Sequence, residues 1–191
     1  MASKLHLTVA ILKPSTVSRP AVVQEIVNLV NSNDLRVITQ KQIVLTKEEA
    51  CRFYKEHEGR FFYNRLVTYM CSGPIMVMAL AGEDVIQKWR KIMGPTKVYR
   101  AQYESPTSIR GLYGISDTRN AAHGSDSVQS AEHEIQFFFP EFDYKQWYRE
   151  NISGYKDDTP LLNTFSHLFI FQTIKIYNNL LILETGKLSI S

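Results

Sequence analysis

Cysteine is scarce in this chain. Cys51 and Cys71 are the only two. They form no disulfide framework, and they fit a reducing compartment or simple burial. Charge of one sign is lacking too, because the net charge is only +3. That argues against a nucleic-acid surface and leaves phosphate-bearing small molecules open. No apolar run is long enough for a membrane span. The longest, Leu168 to Leu183, is interrupted by Gln172, Lys175, Asn178 and Asn179. No secretory signal or Arg-rich transit segment is visible before the alternating run that ends at Lys13-Pro14. Familiar catalytic signatures are missing as well. There is no G-x-x-x-x-G-K-[ST], G-x-G-x-x-G, H-E-x-x-H, C-x-x-C or G-x-S-x-G.

What is present is an ordinary globular composition, 191 residues with 44% apolar and 21% charged. A chain of this length buries roughly 70% of its unfolded surface and needs no staple. Leu5, Leu7, Val9 and Ile11 alternate with smaller or polar residues, which predicts a strand stopped by Pro14. Pro20 opens a helix whose apolar stripe is Val22, Val23, Ile26, Val27 and Val30. Leu35 to Leu45 reads as a second strand. Thr46 with Glu49 is a capping box opening a helix through Tyr54, and Arg60 to Met70 holds another.

Ile75 to Ala81 is apolar on both faces and therefore a central strand. Val85, Ile86, Trp89, Ile92 and Met93 make one more amphipathic helix. Gly94 to Arg119 shows no period and reads as a long functional loop. Asn120 to His123 is a short last strand, and Asp126 caps a helix ending near Phe138. The order reduces to βαββαβ, an α+β ferredoxin-like unit with a four-stranded antiparallel sheet and helices on one face.

One constellation carries chemistry. Asn120-Ala-Ala-His123-Gly-Ser-Asp126-Ser places a histidine at a strand end. Glu134 follows on the next helix, within plausible reach of His123. An imidazole oriented by a carboxylate on one nitrogen presents the other as a nucleophile. A half-buried histidine in a turn is the plain alternative. Lys13, Arg60, Arg90, Arg110 and Arg119 are candidate phosphate ligands, if they converge on His123. Phe61-Phe62-Tyr63 offers a ring for stacking on a base, with core packing as its alternative.

Taken together, Ile11-Leu-Lys13-Pro14, Ser72-Gly-Pro74, Gly94-Pro95-Thr96, Ile109-Arg110-Gly111 and the Asn120 to Ser127 motif resemble the nucleoside diphosphate kinase family. Glu56 to Tyr63 and Ser116 to Asn120 resemble its group II, type six branch. The resemblance implies a ping-pong transfer of the γ-phosphate from a nucleoside triphosphate to a nucleoside diphosphate, through phosphohistidine at His123. It implies that Glu134 orients His123, with Lys13 and Tyr54 beside the reaction. Lys13, Arg60, Arg90, Thr96, Arg110 and Asn120 would contact phosphate and sugar, and Phe62 would stack on the base. Asp126 would reach Mg²⁺ through water, the metal being held mainly by the phosphates.

Ser15 stands where the family usually has Asp, and Pro95 where it usually has Glu. The loop from Thr96 to Arg110 is a few residues longer than in group I enzymes, which argues against their hexamer while leaving another homo-oligomer open. The alternative function is a nucleotide-binding or scaffold protein with weak or no kinase activity, acting through a protein partner. Type six relatives are associated with mitochondria, so the expected compartment is mitochondrial or cytoplasmic.

Composition shifts after residue 150. Residues 151–191 hold no Ala, Val, Met, Trp, Cys or Arg, and their charges cancel. We therefore expect a kinase-like domain over residues 1–150 and an extension over 151–191, disordered or loosely packed. Truncation after Glu150 should leave the melting temperature nearly unchanged and improve solubility. A fall of about 5 °C or more, on the order of 1–2 kcal/mol, would make the extension part of the core.

Overall fold

The computed structural model describes residues 5–152. Almost all of the extension, residues 153–191, lies outside them. Strand β1 (Leu5–Leu12) runs through the middle of the sheet, with β3 (Ile75–Glu83) on one side and β4 (Ala122–Gly124) on the other. Strand β2 (Arg36–Ile43) lies outside β3, giving the order β2-β3-β1-β4. All pairings are antiparallel. Leu7 lies opposite Ala81, Ile43 opposite Ile75 and Ile11 opposite His123. This is the ferredoxin-like arrangement expected from the order of elements.

Helices cover both faces of the sheet, which corrects the expectation of one. Helices α3 (Lys47–Phe53), α4 (Tyr63–Met70), α8 (Val128–Phe138) and α9 (Tyr144–Asn151) close over Leu7, Val9 and Ile11. Helices α1 (Pro14–Val17), α2 (Pro20–Ser32), α5 (Val85–Met93) and α7 (Ile109–Tyr113) close over Ala10, Leu12, Met78 and Leu80. The cause is visible in β3, where every residue from Val77 to Ala81 is fully buried. A strand apolar on both faces needs a layer on each.

Four local readings also change. Pro14 starts a short helix as well as ending a strand. Its fixed φ and missing N–H suit a first helical position. The segment from Gly94 to Arg119 is not structureless, because it contains α6 (Val98–Glu104) and α7. Both helices are short enough to hide their period. The last strand begins at Ala122, not Asn120, since Ala121 sits at φ +69° and breaks the extended chain. Ser127, not Asp126, is the N-cap of α8, accepting from the Ser130 N–H.

Helix α9 was not anticipated. It starts at Asp143, whose side chain accepts from the Gln146 N–H. It buries Tyr148, whose hydroxyl accepts from the Leu7 N–H at 3.2 Å. Ile152, just past its end, packs against the same core. Among the described residues no helix is long and apolar enough to cross a membrane.

Tyr148→Phe removes the one acceptor that the described residues place on the Leu7 N–H, while keeping the ring. An orphaned buried donor costs about 1–3 kcal/mol. Urea denaturation should show a loss in that range with an unchanged slope. No loss would mean that α9 does not anchor the start of β1.

Candidate active site

The site is built on the edge of the sheet. Because His123 lies opposite Ile11, its side chain shares the face of β1 covered by α3 and α8. Helix α8 returns along that face and brings Glu134 to it. Glu134 Oε1 lies 2.9 Å from His123 Nε2, and its Oε2 accepts from Ser125 Oγ at 2.7 Å. Ser125 Oγ also accepts from the Val9 N–H at 3.0 Å. One hydroxyl thus ties the free edge of β1 to the carboxylate. A carboxylate at Nε2 places the proton there and leaves Nδ1 with a lone pair.

The rest of the imidazole environment is apolar and rigid. Phe53 meets the ring edge-on at 5.4 Å, and Tyr54 does so at 6.3 Å. Trp89 Nε1 donates to the His123 carbonyl at 3.1 Å. Gly124 is required beside it, because a Cβ there would collide with the Trp89 ring.

A cavity of about 1030 Å³ opens over His123. Of the residues singled out in the sequence, Lys13, Tyr54, Phe62, Thr96, Arg110, Asn120, His123, Asp126 and Glu134 line it. Arg60 does not; it is exposed at the turn before α4. Arg90 is also exposed and outside the lining, but its charge acts on both Arg110 and Asp126. Arg119 lies over the Tyr69 ring at 5.7 Å instead of in the wall.

Lys13 is buried at the floor. Its Nζ donates to Asn120 Oδ1 at 2.6 Å and to the Thr118 carbonyl at 3.3 Å. Burial, with the Arg110 charge added, pulls its pKa down to about 7. Asn120 Nδ2 in turn donates to the Thr96 carbonyl. Arg110 is buried as well, donating to the carbonyls of Gly94 at 2.7 Å and Ala122 at 3.1 Å. Burial and the neighbouring Arg90 lower its pKa to about 10. Gly94 reaches this geometry at φ +78°, with no room for a Cβ against Ser108.

Two buried polar atoms in this wall, Arg110 Nε and the Tyr54 hydroxyl, have no partner among the described residues. Burial pushes the Tyr54 hydroxyl well above the usual phenol range, so it stays a donor. Buried Lys13 and Arg110, with the neutral Tyr54 phenol, make a socket for a polyanion, in a wall that also holds the Glu134 carboxylate against His123. At the mouth, Asp126 accepts from Ser130 Oγ at 2.6 Å, which holds its carboxyl below the usual range. From Tyr54 a row of rings leads outward. His57 stacks on Tyr54 at 6.1 Å and meets half-buried Phe62 edge-on at 5.4 Å.

Sequence reasoning missed Ser125, Phe53, Trp89 and Thr118. Ser125 carried a signal, since it lies within the motif around His123. The other three act through packing or backbone contacts that only the fold brings together.

Known proteins resemble this chain over most of its described residues. The family model for nucleoside diphosphate kinase matches residues 6–144. The chain is 49% identical over 146 residues to nucleoside diphosphate kinase 6 of Homo sapiens, covering 76% of this chain and 78% of that protein. It is 45% identical over 139 residues to a nucleoside diphosphate kinase of Hydrogenovibrio crunogenus, covering 73% of this chain and 96% of that one. The crystal structure of the Aquifex aeolicus nucleoside diphosphate kinase aligns with a TM-score of 0.68 at 35% identity, over 71% of this chain and 96% of that one.

The buried Lys13 makes stability depend on pH. In the fold it loses its proton near pH 7, whereas an unfolded lysine keeps it to about 10.5. Between those values the unfolded state binds more protons, so this group's contribution to stability rises with pH. Lys13→Met should therefore gain most over the native chain at about pH 6, and the gain should shrink toward about pH 10. Urea denaturation across that range checks it. A constant difference would give Lys13 an ordinary pKa.

Proposed function

The chain belongs to the nucleoside diphosphate kinase family, in its type six-like branch, and we propose that it transfers a γ-phosphate between nucleotides through phosphohistidine at His123. The observation that carries this reading is the Glu134 contact on His123 Nε2, which leaves Nδ1 to act as the nucleophile in a ring that lines the cavity.

In the first half-reaction Nδ1 attacks the γ-phosphorus of a nucleoside triphosphate. An N–P bond forms and the bond to the β–γ bridging oxygen breaks. That oxygen leaves with its electron pair on the nucleoside diphosphate. Glu134 accepts from the Nε2 proton and stabilises the imidazolium character that develops. In the second half-reaction the terminal oxygen of another diphosphate takes the phosphoryl group from nitrogen. Phosphoryl transfer asks mainly for positioning and charge neutralisation. Lys13, Arg110 and the Tyr54 hydroxyl supply donors at the buried end, with Thr96 and Asn120 nearby. Arg90 adds charge from outside the wall. Phe62 at the far end of the ring row stacks on the base and does not read its identity. Arg60, exposed before α4, is proposed to reach phosphate only once nucleotide is bound.

The residues fit a magnesium ion carried by the nucleotide. Among the described residues no cluster of three or more His, Cys, Asp or Glu could hold a metal alone. The Asp126 carboxylate at the mouth would hold such an ion, brought in with the phosphates of the nucleotide. When bound, the ion offsets charge on the phosphates.

Incubation with triphosphate labelled at the γ-position tests the reading. The native chain should acquire an acid-labile, alkali-stable label, and His123→Ala should acquire none while keeping its melting temperature. A mutant labelled like the native chain would overturn the assignment. A native chain that binds nucleotide without ever taking label would be a binding protein.

A further inference from the structure

Arg65 is the one cavity-lining cation deep in α4, and the proposed function does not use it. It stands three residues after Phe62, the N-cap of α4, a spacing of about one turn. Both border the cavity. Arg65 Nε donates to Thr118 Oγ1 at 3.0 Å. Thr118 is fixed from its other side, since its carbonyl accepts from Lys13 Nζ. The guanidinium is therefore anchored through Nε, and this sets the direction of the fork. Its two terminal NH₂ groups have no hydrogen-bond partner among the described residues.

We propose that Arg65 is a base-reading residue that favours guanine nucleotides. The proposal rests on the reading of Phe62 as the stacking platform. Phe62 and Arg65 border the same cavity, so a base stacked on the Phe62 ring would have the Arg65 guanidinium for a neighbour. A guanidinium fork offers two parallel donors and no acceptor. Guanine matches it on one edge with two adjacent acceptors, O6 and N7. Adenine offers N7 beside an amino donor, which opposes the fork. Stacking alone tolerates every base, so this pair of donors supplies a discrimination that the ring does not. Arg65 is exposed and water competes for its donors, so the selectivity falls at the low end of bidentate recognition, about tenfold.

Dissociation constants of GDP, IDP and ADP, measured by calorimetry on the full chain, test this without phosphoryl transfer. The native chain should bind GDP about tenfold more tightly than ADP. IDP, which keeps O6 and N7 but lacks the 2-amino group, should bind like GDP. Arg65→Ala should bring GDP and ADP to equal affinity, and so should Arg65→Lys, which keeps the charge and loses the fork. Phe62→Ala should weaken both nucleotides by one factor and keep their ratio. Three results would overturn the proposal: no guanine preference in the native chain, IDP binding like ADP, or Arg65 variants that weaken GDP and ADP equally. The last would make Arg65 a brace for Thr118. None of these affinities depends on a label at His123, so the two readings fail separately.

Discussion

The Glu134 carboxylate is the joint on which the site depends. It accepts from Ser125 on one oxygen and meets His123 on the other. Because Ser125 also takes the Val9 N–H, the carboxylate is referenced to the central strand and not merely to its own helix. The register of β4 on β1 follows from the same contacts, since only three residues of β4 pair. So short a strand could slip by one residue. That would turn the His123 side chain to the other face of the sheet, away from α8. Ser125, just past the end of the strand, and the Trp89 bond to the His123 carbonyl at its middle resist that slip. Catalytic geometry and strand register are one structural problem here.

A second constraint is electrostatic. Lys13 and Arg110 are both buried; the Arg110 charge adds to burial in lowering the affinity of Lys13 for a proton, and Arg90 adds to burial in the same way at Arg110. Without an anion this is an unfavourable arrangement, and the unpartnered Arg110 Nε adds to it. The fully buried layers on both faces of β3 and β1 hold the chain in place against that cost. Sites that break local rules are where a fold does its chemistry. A polyphosphate in the cavity would reverse the sign of each of these terms, stabilising both charged side chains and giving the Tyr54 hydroxyl an acceptor.

The long regular elements were legible because their periods are long. The Thr46 to Glu49 capping box is present as written, with both reciprocal hydrogen bonds. The central position of Ile75 to Ala81 followed from its apolar content, and the second helical layer was implied by that same observation. Helices α6, α7 and α9 were not legible, because five to eight residues span barely two turns and their apolar positions do not repeat. In the site, His123 and Glu134 could be paired from strand-end and helix spacing. Arg60 and Arg90 could not be placed, because whether a long cation reaches a cavity depends on the angle of its helix or turn. Arg65 passed unnoticed for the same reason.

The departures at Ser15 and Pro95 have a common physical sense. Ser15 Oγ pairs with the Tyr69 hydroxyl at 2.6 Å, and its N–H donates to the same oxygen. Tyr69 carries Arg119 over its ring. A carboxylate at position 15 would set an anion beside Lys13 and near Arg119. The serine keeps that neighbourhood neutral, so the charge acting on Lys13 is the repulsion of Arg110. Pro95 follows Gly94, whose left-handed conformation turns the chain so that Thr96 can face Arg110 and accept from Asn120. A proline restricts the chain at the point where the turn must hold, and it adds no negative charge at the mouth. Neither residue lines the cavity, so both changes act on it through the neighbours they fix, Tyr69 for Ser15 and Thr96 for Pro95. In the proposed reading the charge that a phosphate meets is then set by Lys13 and Arg110 inside the wall, and not by positions 15 and 95 outside it.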